Sequence, residues 1–149
     1  MRKLFFIALI ASVAGTLNAQ EAGIGIGIST NGLEGKYWMG QSNALSMHWN
    51  LGTQLAADYL FDKPDLLKLT DTPTPVYYGF GAGLGTHKGV NDSGEGTTEL
   101  DLNIRGVIGI SYYISSFPMD IYIESVPSLG LLGGTGLSFG GSFGFRYFF

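Results

Sequence analysis

Three observations predict an all-β chain that closes as an eight-stranded antiparallel up-and-down transmembrane β-barrel. The final residues, Phe143-Gly144-Phe145-Arg146-Tyr147-Phe148-Phe149, set an aromatic side chain at every second position and stop on one. Such a strand suits lipid on one face, a polar lumen on the other and an aromatic girdle at a membrane interface. The chain is 45% hydrophobic and only 13% charged, yet beyond its leader no segment approaches the ~18 consecutive apolar residues of a membrane helix. High apolarity without a spanning helix is expected of strands that are each half apolar. Finally, apolar–polar alternation recurs in eight segments after residue 19.

The leader comes first. Met1-Arg2-Lys3 is basic, Leu4 to Gly15 is an apolar run, and Leu17-Asn18-Ala19 ends on a small residue. Residues 1–19 therefore read as a secretory signal peptide, with residues 20–149 as one barrel domain. A transmembrane anchor is the other reading, for which the run is short. The chain has no Cys, which excludes lipoprotein attachment, disulfides and thiolate metal sites. Loss of Arg2 and Lys3 leaves six basic residues of the eight against twelve acidic ones. That balance argues against nucleic acid and against a basic patch for anionic lipid.

The expected strands are Gly23–Ser29, Glu34–Gly40, Ala44–Gly52, Thr53–Phe61, Val76–Thr86, Glu99–Ser115, Met119–Leu131 and Leu137–Phe149. Asn31-Gly32 marks a tight turn, and a second must lie at Gly52-Thr53. Gln41-Ser42-Asn43, Ser115-Ser116-Phe117-Pro118 and Leu132-Gly133-Gly134-Thr135-Gly136 are short polar or Gly-rich connectors. Gly89 to Thr98 reads as a longer polar loop. Asp62 to Pro75, with the apolar patch Leu66-Leu67-Lys68-Leu69, reads as a long connection on the inner, periplasmic side. It serves there as a spacer, a short interfacial helix or a partner site.

Alternation sorts side chains to two faces. Ile24, Ile26 and Ile28 oppose Gly23, Gly25 and Gly27; Leu45, Met47 and Trp49 oppose Ser46, His48 and Asn50. Leu100, Leu102, Ile104, Ile108, Ile110 and Tyr112 oppose Asp101, Asn103, Arg105 and Ser111. Which face is inside does not follow from alternation. A soluble lipocalin-like barrel binding lipid would invert it. The aromatic apolar face and the small Gly and Ser residues of the other place the charged face in the lumen. Lys36, Arg105 and Arg146 then meet Asp58, Asp101, Asp120 and Glu124 in a narrow interior, where charges must pair. Arg105 and Arg146 are the expected hubs, because a guanidinium forks to carboxylates. Arg105→Ala is accordingly expected to cost on the order of 3–5 kcal/mol.

With Gly32-Leu33-Glu34-Gly35-Lys36-Tyr37-Trp38, Ala57-Asp58-Tyr59-Leu60-Phe61 and its last strand, the chain resembles compact Gram-negative barrels of unassigned function. More broadly it is similar to small eight-stranded outer-membrane proteins of the OmpA transmembrane-domain and OmpX type. The resemblance implies residence in the cell outer membrane, contact with its lipid, and insertion by the barrel-assembly machinery. Phe143, Phe145, Tyr147 and Phe149 would be the insertion signature. It implies no catalytic residues, and the end of the chain at Phe149 leads to the expectation that no peptidoglycan-binding domain follows.

Other chemistries find little purchase. Lipid-modifying outer-membrane enzymes need a Ser, a His and a carboxylate. Ser46, His48 and Asp58 could supply them, but by parity all three face the lumen, away from lipid esters. No catalytic residue is therefore expected. Two distant His residues and a loop carrying Asn91, Asp92, Glu95 and Glu99 without calcium-loop spacing give no expected metal site. Gly23–Gly27 and Gly79–Gly85 alternate as strands with no helix following, so no nucleotide cofactor is expected either. The expected function is a non-enzymatic envelope structural or surface-interaction protein. A narrow pore is a second reading and a lipid-modifying enzyme a third.

Overall fold

The alternating segments become eight strands in the computed structural model, which describes residues 23–63, 67, 74–90, 96–114 and 116–149. They are β1 (Ile24–Ser29), β2 (Gly32–Trp38), β3 (Asn43–Asn50), β4 (Gln54–Lys63), β5 (Val76–Val90), β6 (Gly96–Ile114), β7 (Met119–Leu132) and β8 (Gly136–Phe148). Each pairs antiparallel with the next, and β1 pairs with β8 to close the barrel. Among the described residues there is no helix long and apolar enough to cross a membrane. Residues 1–19, read as the leader, lie outside the described set, as do Leu66, Lys68 and Leu69 and the loop residues Asn91, Asp92 and Glu95.

The turns follow their local chemistry. β1 and β2 are joined through Thr30-Asn31, and Gly32 opens β2 at φ +121°, a left-handed conformation open to Gly. The Asn31 amide N–H donates to Ser29 Oγ at 3.1 Å, the local bond by which Ser and Asn favour turns. Gly52, at φ +101°, turns the β3–β4 hairpin, which Thr53 closes by donating its amide to the Asn50 carbonyl at 2.7 Å.

Two expectations about connections are corrected. Pairing of β5 with β6 runs on to Val90–Gly96, so Gly89, Val90 and Gly96–Thr98 of the expected loop belong to the two strands. Gly89 and Gly96 both sit within this ladder, whose bonding outweighs their turn preference. Similarly, β4 continues through Asp62 and Lys63, which pair with Tyr77 and Val76. Asp62 therefore sits on an inward position of a strand rather than in a connection.

The faces segregate as polarity demands. Arg146 is 0% exposed and Phe139 on the same strand is 75% exposed. Ile24, Ile26, Met47, Leu84, Ile108, Ile123 and Phe143 all point outward. Inside, near the end that holds Phe149, Trp38, Ala44, Leu60, Tyr77, Val107, Tyr113 and Phe148 pack as an apolar layer. Above this layer lies a belt of buried charge. Higher still, the longer strands β5 to β8 rise past β1 to β4 around an open mouth.

Candidate functional site

Arg146 organises the charged belt. On one side its Nε and Nη2 donate to Asp120 Oδ1 and Oδ2 at 2.9 and 2.7 Å, the forked geometry a guanidinium favours. On the other side Nη1 donates to Glu34 Oε1 at 2.8 Å, and Nη2 also reaches Ser111 Oγ at 3.1 Å. The guanidinium stacks over the Tyr122 ring at 4.1 Å, and the Tyr122 hydroxyl donates to Glu34 Oε2. Register explains the reach: Gly27 on β1 pairs with Glu34 on one side and Arg146 on the other. With no side chain at Gly27, the Arg146 stem crosses the position freely.

Two smaller pairs flank this hub. Lys36 Nζ lies 3.5 Å from Asp62 Oδ2 and stands over the rings of Trp38 and Tyr77 at 4.2 and 4.9 Å. Arg105 Nε lies 3.0 Å from Asp58 Oδ1, a charge contact rather than an aligned hydrogen bond. Glu124 accepts the Tyr77 hydroxyl at 2.8 Å through Oε1, while its Oε2 has no hydrogen-bond partner among the described residues.

Of the seven lumen residues expected from sequence, the structure brings Asp120 and Arg146 together, sets Arg105 on Asp58, and places Lys36 and Glu124 against other partners. Two expectations are corrected. Arg105 is not a hub, having Asp58 as its one carboxylate contact among the described residues. Asp101 lies outside the buried belt, because β6 carries it up to the rim, where it pairs with His87 Nδ1 at 3.0 Å. Two buried members were missed. Glu34 shares the parity of Lys36 on β2, and Asp62 that of Asp58 on β4, so the period-2 rule applied along the whole strand finds both.

Ser46, His48 and Asp58 do come together, but not as a relay. Ser46 Oγ and Asp58 Oδ2 both lie 3.1 Å from the same ring nitrogen, His48 Nε2. A nucleophile–base–orienter chain needs one partner on each nitrogen. Ser46 is also fully buried.

No protein-family model, curated protein or solved structure matches this chain. The structure itself shows an all-β closed ring of eight antiparallel, up-and-down strands.

Above the belt the mouth is polar. A cavity of about 570 Å³ is lined by residues including Gln54, Thr86, Asn103, Ser128 and Ser138. Deeper, a space of about 150 Å³ lies among Asn31, His48, Asn50, Gln54, Ala56 and Arg105. Gln54 lines both, so the two spaces adjoin there, with His48 and Arg105 on the deeper one.

Proposed function

We propose that this protein is an integral outer-membrane β-barrel whose lumen is filled rather than open. Its role is that of a non-enzymatic envelope structural or surface-interaction component. The observation that carries the reading is the outward surface. Every strand contributes large apolar side chains to it, while among the described residues the outward charged side chains of Lys63 and Lys88 lie at or near strand ends. Exposing so continuous an apolar belt to water would drive association; hydrocarbon removes that cost. Clustered outward rings support an interface at the end holding Phe149. Tyr59 meets Phe61 at 5.0 Å, Phe61 stacks on Tyr78 at 5.5 Å, and Tyr147 meets Phe149 at 5.0 Å.

On this reading residues 1–19 direct export, lipid is the bulk partner, and the barrel-assembly machinery inserts the chain by its last strand. The likeness to OmpA- and OmpX-type barrels belongs to the same proposal. The buried Arg146–Asp120–Glu34 layer disfavours the pore reading, and the shared His48 nitrogen disfavours the lipid-modifying one.

Running the outer-membrane fraction unheated and heated on a denaturing gel tests the proposal. A faster-migrating unheated band in that fraction is expected. A single band confined to the periplasmic fraction overturns it.

A further inference from the structure

The buried charges of the lumen do not balance, and the imbalance has an address. Among the described residues, each inward-facing cation has an aspartate: Lys36 has Asp62, Arg105 has Asp58 and Arg146 has Asp120. Two buried carboxylates then remain without a cation of their own, Glu34 and Glu124. Glu34 borrows one arm of a guanidinium already forked onto Asp120. Glu124 is 4% exposed, and its Oε2 has no hydrogen-bond partner among the described residues. An uncompensated carboxylate is costly in such an interior.

These two carboxylates converge on the one buried histidine among the described residues. Glu34, His48 and Glu124 each offer a ligand atom, and the three atoms lie within 4.8 Å of one another. The register builds the cluster: Glu34 pairs with His48 across β2 and β3, and Glu124 reaches in from β7.

We propose that Glu34, His48 and Glu124 form an internal binding site for one divalent transition-metal cation, with zinc favoured by the mixed nitrogen and oxygen donors. Two carboxylates and a neutral imidazole cancel the charge of one divalent ion. The unpartnered Glu124 Oε2 supplies a ready ligand. Bonds of ~2.0–2.2 Å require the three side chains to close by under about 1 Å each. Asp58, 3.1 Å from His48 Nε2, stands beside the site and orients the ring or completes the ligand set. The polar space that His48 lines, which adjoins the mouth at Gln54, is the entry path. The site does not depend on what solvent covers the outward face.

The test uses the protein purified in detergent, stripped with chelator, loaded with Zn²⁺, desalted and assayed for metal. His87 is replaced throughout (His87→Ala), because its contacts with Glu99 and Asp101 could hold zinc at the rim. One zinc per barrel is expected, lost in both His48→Gln and Glu124→Gln. Zinc-free protein in the His87→Ala background overturns the proposal, as does a full equivalent retained in either folded variant. Cobalt gives a readout that needs no lumen variant. A low-symmetry ligand-field spectrum in the His87→Ala protein is expected, and the spectrum of aqueous cobalt overturns the site.

Discussion

Arg146 on β8 and Glu34 on β2 meet at 2.8 Å across the intervening strand, passing over Gly27. Together with the Asp120 fork this contact ties β7, β8, β1 and β2 into one layer, spanning the seam where the first and last strands close the ring. The contact that fills the lumen therefore also spans the seam of the barrel, and the consequences can be measured.

Arg146→Ala strands Asp120 and Glu34 in a buried layer. It is expected to cost about 3–5 kcal/mol, the penalty for removing one partner of a buried ion pair. Arg105→Ala is expected to cost less, about 1–3 kcal/mol, because Asp58 keeps His48 beside it and Arg105 borders the polar mouth. A reversible urea titration of the barrel in lipid vesicles reads both. Equal costs would remove the special status of Arg146.

Gly27→Ala puts a methyl group against the Phe145 carbonyl oxygen and within 2.8 Å of Arg146 Cγ. Backbone cannot yield as a flexible side chain does, so a loss of about 1–3 kcal/mol is expected. Gly141→Ala is the comparison. Its nearest neighbour would be the Glu124 carbonyl at 3.4 Å, and a change within about 0.5 kcal/mol is expected. The same titration ranks the two, and the reverse order contradicts the packing described.

Period-2 parity made the two faces legible in the sequence, because it holds whatever the neighbours do. Ile24, Trp49, Ile108 and Phe143 face out for the same reason that Lys36, Asp58 and Arg146 face in. Depth was not legible. Asp101 and Asp120 share inward parity, but one reaches the rim and the other the buried layer, a difference set by strand stagger. Asp62 was hidden by the Pro and Asp turn signals after it, although ladder bonds to Tyr77 carry the strand through. The meeting of Glu34, His48 and Glu124 needed registers across strands distant in sequence, which no single segment encodes.

Ile108→Arg tests the outward face directly, since Ile108 is 58% exposed and lies well inside β6. In lipid the substitution is expected to cost about 2–4 kcal/mol near the bilayer midplane. Unfolding in vesicles measures it. A cost near zero would mean that the position contacts water.

The two tryptophans allow the most direct test of the claim that the apolar face meets lipid. Trp38 is 5% exposed and points inward, whereas Trp49 is 49% exposed and points outward. In vesicles whose acyl chains carry bromine, a short-range quencher, the Trp38→Phe protein should lose most of its fluorescence through Trp49. The Trp49→Phe protein, reporting on Trp38, should lose little. Quenching of Trp38 with Trp49 untouched, or of neither, would contradict the account.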